Sequence, residues 1–326
     1  MDENMRKNVV HLVILFVLLL ALAGVLVYTG IVSCNVVPGG CEIYYKIKDG
    51  ARAGQPQVLI AYGDSGLGDN QKLGTVFSNP DILRAQVREM HVDRLSYGNV
   101  RDYDLIIVTH AKTICSDKLK VFQYFVNSGG RLVWTGDAGT GLCTADAAGR
   151  YPASDTLLLD KERNQGGTST PIGPWARKDG KSQLSFDELL GVEYKGNYCE
   201  FSKCAQGQVA GTIEVTNTSH KLTYGLSPAI PFTGDFAVVE FRKSDNVRLI
   251  ATLDYGTDFL GKSTGQPWLE SGKTYNFGRN LPFIVASQVG ERAAYYAVPI
   301  ESLVSEEQPQ KNKALLEQMY YGMLYG

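Results

Sequence analysis

Histidine is scarce in this 326-residue chain, with 4 copies, and so are tryptophan, with 3, and methionine, with 5. With so few imidazoles a histidine-built metal site has little to draw on. No Cys-x-x-Cys pair or His-Cys cluster has zinc spacing, so neither a metal nor a cofactor is expected. Charge of one sign is missing as well: 32 Lys and Arg stand against 34 Asp and Glu, a net charge of −2. The basic residues form no patch interleaved with aromatics, which argues against nucleic acid as a partner. Internal repeats and low-complexity tails are absent. What remains, 44% hydrophobic and 20% charged residues, is a globular balance with enough apolar material for one large domain or two small ones.

One stretch departs from that balance. Residues 9–32 contain no Asp, Glu, Lys or Arg, and His11 is their only side chain able to carry a charge near neutral pH. About 20 such residues span a bilayer as a helix, and a cleaved signal peptide has an apolar region of only about 7–15. An uncleaved anchor is the favoured reading. Arg6 and Lys7 flank its N-terminal end and place that end in the cytoplasm. Ile31-Val32-Ser33-Cys34 loosely resembles a lipoprotein cleavage box, but the apolar run is long for one. The expected organisation is a cytoplasmic N-terminus (1–8), a transmembrane anchor in the lipid bilayer (9–32), a stalk (33–56) and an extracytoplasmic domain (57–326) with an insertion at 140–183. That describes a single-pass protein of the cell membrane.

Cysteine usage agrees with an outside location. The chain has 6 cysteines, falling as Cys34 and Cys41, Cys115 and Cys143, Cys199 and Cys204. Sequence alone does not choose among the pairings they allow. Cys115 follows one expected strand and Cys143 the next, which puts both near one end of a sheet. Disulfides outside the cytosol explain the set better than zinc does, with free buried thiols as the competing reading. Asn217-Thr218-Ser219 is a glycosylation sequon that matters only if the domain is external.

The pattern beyond residue 57 alternates strand and helix. Residues 58–62 read as a buried strand, 63–74 as a Gly- and Asp-rich loop, 80–90 as a helix and 92–97 as a second strand. Leu105 to Val108 is a short apolar run that reads as a strand. Ser116 is placed to cap a helix with Leu119, Phe122, Phe125 and Val126 on one face. Gly129-Gly130 ends that helix, and residues 132–134 form the next strand. Strand, helix, strand with short loops implies a parallel sheet. Residues 140–183 are polar and read as a long structureless insertion. Residues 186–190 read as a short helix, and 209–216, 236–242, 247–254, 282–287 and 293–298 as strands. Residues 311–324 read as a closing helix.

The turn Gly136-Asp137-Ala138-Gly139 after the strand at 132–134 sits where α/β enzymes place a strained nucleophile elbow. Its middle residue is Asp137, not Cys or Ser. The first strand VLIAYGDSG, the DYDLIIVTH strand, the segment YFVNSGGRLVWTGDAG and the late FDELLGVEY followed by SHKLTYGL together resemble the class I glutamine-amidotransferase-like superfamily. The closing PFIVASQVGERAAYYAVPIESL is similar to the end of its trehalose-utilisation and β-galactosidase-trimerisation branches. The resemblance spans roughly residues 57–324 and rests on fold-level motifs. It implies an α/β, doubly wound, mainly parallel flavodoxin-like sheet with a β-rich C-terminal part, preceded here by one transmembrane helix. Active members use a Cys at the elbow with a late His and Glu, because a thiolate attacks the amide carbon and the His shuttles the proton. This chain has Asp137 at the elbow and no late His-x-Glu, and Lys221 follows His220. Cys143 lies six positions past the elbow by its number, too far to stand in.

Other constellations compete. Gly63-Asp64-Ser65-Gly66 resembles the first block of GDS-type esterases, which makes Ser65 a candidate nucleophile and His220 its candidate base. The orienting Asp of such enzymes is here Asn217, which holds an imidazole less well. The competing reading is a tight turn with glycines supplying positive φ. Asp64, Asp69 and Asp137 could meet at the C-terminal edge of the sheet, where open α/β folds bind ligands. They are candidate ligand-binding residues, with His110 beside them. Trp134 reads as core, and Trp175 and Trp268 as exposed loop aromatics. The expectation is a membrane-anchored, non-catalytic domain that binds or scaffolds at the cell surface, with an envelope protein or a glycan as partner. The alternative is an extracytoplasmic hydrolase using Ser65 or the Asp137 region.

Overall fold

The computed structural model describes residues 3–28, 56–77, 85–144, 155–164, 169–180, 182–202, 204, 209–224, 226–303 and 320–324. The chain divides into two units, Met1–Ala53 with Tyr325–Gly326, and Gly54–Leu324. In the first unit the described part is helix α1 (Glu3–Tyr28). Its side chains are described only at 8–9, 11–19 and 21–22, and among these the apolar ones from Val9 to Leu22 lie half exposed or more. Among the described residues no helix is long and apolar enough to cross a membrane. That run of described side chains is shorter than the roughly 20 residues a bilayer requires. The expected stalk at 33–55 and the Cys34 and Cys41 positions lie outside the described residues.

The second unit is a mixed α/β domain built on one nine-stranded sheet. In chain order its elements begin with β1 (Gln57–Tyr62), α2 (Asn70–Phe77), β2 (Gln86–His91), α3 (Tyr97–Val100), β3 (Leu105–Val108), α4 (Ser116–Asn127) and β4 (Arg131–Thr135). The insertion follows as β5 (Asp155–Leu157), α5 (Asp160–Asn164), β6 (Ala176–Asp179) and β7 (Ser182–Ser185). Then come α6 (Phe186–Leu190), β8 (Val192–Asn197), α7 (Tyr198–Phe201), β9 (Val209–Val215), β10 (Ala229–Thr233), β11 (Ala237–Phe241) and β12 (Val247–Asp254). The last strands are β13 (Leu260–Lys262), β14 (Thr274–Asn276), β15 (Asn280–Ser287) and β16 (Ala293–Tyr296).

The large sheet runs β10-β9-β12-β15-β16-β4-β3-β1-β2. The strands from β16 to β2 are parallel to their neighbours, and those from β10 to β15 continue the sheet antiparallel. The parallel strands carry apolar residues on both faces because both faces are covered. All four residues of β3 and of β16 are buried. On β16 successive side chains point to opposite faces. Tyr295 packs against Trp175 on one side, and Tyr296 lies buried on the other. The α4 face behaves as its spacing predicts: Leu119, Phe122, Phe125 and Val126 are buried, and the Phe122 ring stands edge-on to Trp134 at 5.2 Å.

Several local expectations are corrected. Residues 86–91 form β2 rather than a helix, because they pair with β1 along its whole length. Residues 92–94 make a 3₁₀ turn and 97–100 a short helix, where a strand was expected. Helix α2 begins at Asn70 inside the expected loop, and the Asp69 carboxylate accepts from Lys72 N–H at 3.0 Å as its cap. Ser116 is the first residue of α4 and Cys115 its N-cap, without a side-chain hydrogen bond. The expected structureless insertion holds a three-stranded antiparallel sheet, β5-β6-β7. It is nailed to the domain by Arg177, which is fully buried and donates to Asp155 Oδ2 at 3.0 Å and to the carbonyls of Ile114, Gly139 and Gly141. Trp175, expected in solvent, is buried for the same reason, with its indole N–H on Ala138 O at 2.9 Å. Trp268 is half-buried and donates to Lys195 O. Of the closing helix, 320–324 is described as helical, with Arg131 capping the Met323 and Leu324 carbonyls at 2.7 and 2.6 Å.

Candidate functional site

Loops leaving the C-terminal ends of β1, β3 and β4 are stitched together as short extensions of the sheet. Ser65 bridges Ala111, and Thr113 bridges Gly141. Lys112 N–H donates to Ser65 O at 2.6 Å, and Gly139 N–H to Ala111 O at 2.8 Å. This lattice of backbone bonds holds three loops in register without regular secondary structure.

Asp137 lies at its centre. The expected strain at the elbow residue is absent: positive φ falls on the two flanking glycines, Gly136 at +56° and Gly139 at +67°, which adopt it freely, and not on Asp137. Asp137 is 2% exposed, and its carboxylate points inward. Oδ1 accepts from Leu67 N–H at 2.7 Å, and Oδ2 accepts from the Asn197 side-chain amide at 3.1 Å with Lys112 Nζ at 3.7 Å. Lys112, about two-fifths exposed, also reaches Glu200 Oε1 at 3.6 Å. Glu200 in turn accepts from Asn197 N–H at 3.0 Å and from the Gln266 amide at 3.1 Å. Asn197 is oriented by Tyr194, whose hydroxyl donates to its Oδ1 at 2.8 Å. The result is a chain of polar groups running from a buried aspartate to a half-exposed lysine and glutamate.

The site is acidic overall. Asp235 receives Cys199 N–H and Phe236 N–H, each at 2.9 Å. Burial pushes its carboxyl above the usual range, the two backbone bonds oppose this, and the charges of Asp137 and Glu200 add to the rise. Burial raises the Tyr194 hydroxyl as well, helped by Glu200 and Asp137, so this phenol stays neutral and donates. Cys199, Cys204 and Asp235 are close enough to hold an ion by distance alone. The two sulfurs are joined in a disulfide, which removes them as thiolate ligands.

The residues singled out from sequence do not form one cluster. Ser65 is exposed, and among the described residues no hydrogen bond joins its hydroxyl to a histidine. His220 stands at the opposite edge of the sheet. It packs beside Glu291, just before the start of β16, whereas Ser65 follows the end of β1. A carboxylate does orient His220: Glu291 Oε2 lies 3.0 Å from Nε2, and Leu222 N–H donates to Nδ1 at 3.2 Å. Asp64 is exposed and faces His91 at 3.3 Å. Asp69 caps α2. His110 has φ +48°, and its Nδ1 lies 3.0 Å from Gly66 O, so it braces the same loop whose Leu67 N–H holds Asp137. Cys115 with Cys143, and Cys199 with Cys204, are disulfides.

Lys112, Asn197, Glu200 and Gln266 were not legible as a site. They come from three separate segments of the chain. Only the Asn-x-x-Glu of residues 197–200, the pattern of a capping box, carried a local signal, and it is one.

Fold and site together define a mixed α/β domain with a preorganised polar cluster at the C-terminal edge of its parallel strands. The chain matches no family model and no curated protein. Among solved structures it is similar to a ThuA-like protein from Bacteroides uniformis, with 15% identity over 83% of this chain and 92% of that one and a TM-score of 0.48. It is similar to a glutamine amidotransferase from Thermotoga maritima, with 8% identity over 83% and 99% and a TM-score of 0.44. A β-galactosidase from Rahnella sp. R3 gives 14% identity over 83% of this chain and a TM-score of 0.47, and the match spans 31% of that longer protein.

Proposed function

We propose that the chain is a membrane-anchored, non-catalytic amidotransferase-like protein that binds or scaffolds at the extracytoplasmic surface, with a glycan or an envelope protein as its partner. One observation carries the non-catalytic part. The side chain at the elbow is an aspartate whose two oxygens are committed to Leu67 N–H and the Asn197 amide, buried and aimed away from solvent. A nucleophile or general base needs a reachable, unsatisfied atom. The groups of this cluster that do face solvent, Lys112 and Glu200, are a cation and an anion held 3.6 Å apart, which suits hydrogen bonding to a polar ligand. Anchoring is supported by the charge-free run of 9–32, and an outside location by the two disulfides.

The test uses the full-length chain in detergent. It is offered a fluorophosphonate probe and chromogenic esters and glycosides, and in parallel immobilised polysaccharides. The reading expects no turnover, and retention that weakens in Lys112→Ala and Glu200→Ala. Labelling or turnover that disappears in Ser65→Ala would replace it with a serine hydrolase. Thiols that react with maleimide only after cell lysis would place the domain on the other side of the membrane.

A further inference from the structure

The loop 63–69 also meets a second carboxyl group that nothing above uses, two residues on from the amide that Asp137 holds. Glu301 is 1% exposed. Its Oε1 accepts two bonds, from Thr109 Oγ1 at 2.5 Å and from Asp69 N–H at 3.0 Å. Its Oε2 has no hydrogen-bond partner, and neither do the buried hydroxyls of Tyr296 and Tyr320. Both tyrosines are fully buried, and burial pushes both hydroxyls up, so they stay neutral.

An ionised carboxylate with one naked oxygen in such a place is costly. A protonated one carries no charge to desolvate, and with the Thr109 and Asp69 donors on Oε1 the free oxygen Oε2 is the one that takes the proton. We propose that Glu301 is a buried proton-binding site, with the proton on Oε2, and that this proton holds the loop 63–69 in place.

The groups acting on Glu301 agree. Burial pushes its carboxyl up, the bonds from Thr109, Asp69 N–H and its own backbone N–H oppose this, and the charge of Asp69 pushes it up further. The titratable groups that act with it are Asp69 from the loop and Tyr320 from the C-terminal helical turn, and neither is a cation. The consequence for the loop is steric as well as electrostatic. Gly68 has φ +111°, and a Cβ there would collide with Thr109 Oγ1 and come within 2.8 Å of Glu301 Oε1. The backbone presses directly against the carboxyl, so a charge on it is felt at Asp69 N–H first. Because the folded-state value is raised, the stability contributed by the proton is complete below the ordinary glutamate range. It is lost as pH rises through the raised value.

The inference does not depend on what the Asp137 site binds. Hydrogen–deuterium exchange of the segment 63–69 in the full-length chain, corrected for the intrinsic pH dependence, tests it. Exchange is expected to rise by roughly tenfold per pH unit once ionisation sets in. In Glu301→Gln, which mimics the neutral acid, it is expected to stay flat. Equal pH profiles for wild type and Glu301→Gln would overturn the proposal. Should the variant not fold, infrared spectroscopy of the wild type decides. A protonated-carboxyl band persisting at a pH just above the ordinary carboxylate range supports the assignment, and its absence there sinks it.

Discussion

Asp137 and Glu301 grip the same loop at alternate residues. Asp137 Oδ1 takes Leu67 N–H at 2.7 Å, and Glu301 Oε1 takes Asp69 N–H at 3.0 Å. Between and before these donors lie Gly66, with φ +120°, and Gly68, with φ +111°. The glycines let the backbone approach both carboxyls, and the carboxyls satisfy amides that would otherwise be buried unpaired. The loop after β1 is thus shaped by residues about 70 and 232 positions away in sequence.

Replacing Asp137 removes the acceptor for two donors at once. Asp137→Ala is expected to cost about 2–4 kcal/mol, since each stranded donor loses its full desolvation compensation. Asp137→Asn retains one carbonyl oxygen and is expected to cost roughly half as much. Chemical denaturation of both variants measures this. An Asp137→Ala protein as stable as wild type would show that the bonds to Leu67 and Asn197 are dispensable.

Gly68→Ala meets both a disfavoured φ and an occupied volume. It is expected to destabilise by about 2 kcal/mol or more. Gly180, with φ +58° and nothing within 4 Å of an added Cβ, is the control. Gly180→Ala meets only the backbone penalty, about 1 kcal/mol. Equal melting shifts for the two would mean that crowding by Thr109 and Glu301 does not matter.

The disulfides are expected to differ in weight. Cys115 and Cys143 are 28 residues apart, and Cys199 and Cys204 are 5 apart. Loop entropy alone gives about 3.5 and about 2 kcal/mol respectively. Cys115→Ser with Cys143→Ser should therefore lower the melting temperature more than the other double variant. The first bridge also ties the start of α4 to the loop beneath Arg177, which adds to its effect.

Acid sensitivity is expected to run through Glu291. Burial, the largest single cause, raises its carboxyl, but the His220 hydrogen bond together with the charges of His220, Lys221 and Arg248 outweighs this and brings it down to about 2. A lowered value means stability that is present above the ordinary glutamate range and lost as pH falls from about 4.5 towards about 2. Allowing for partial solvent screening, the loss is about 2 kcal/mol. Glu291→Gln should remove this limb of the stability–pH curve. An unchanged limb would assign acid sensitivity to other carboxylates.

Much of the architecture was legible in the chain. The run at 105–108, the α4 face and the strand before Asp137 predicted a parallel βαβ unit, because buried parallel strands are continuously apolar and a helix packed on one side repeats at 3.6 residues. The cysteine positions after successive strands placed Cys115 beside Cys143 for the same topological reason. The insertion was misread because β5, β6 and β7 are polar by composition. Their order comes from Arg177, whose guanidinium gathers Asp155 and carbonyls from two loops, a pattern without sequence period. Residues 86–90 fell within the segment 80–90 read as helix, and pairing with β1 overrides local preference at a sheet edge.

The sequence by itself determined that the elbow carries an acid in place of a thiol, that the core is α/β and that residues 9–32 bear no charge other than any on His11. Only the tertiary structure decided what that acid does. Hydrogen bonds between residues 67 and 137, or 69 and 301, leave no trace in composition or periodicity. They depend on where parallel strands bring their C-terminal ends together. Ser65 and His220 separate to opposite edges for the same reason: one follows a strand and the other packs before one, and in a parallel sheet those positions lie a strand length apart.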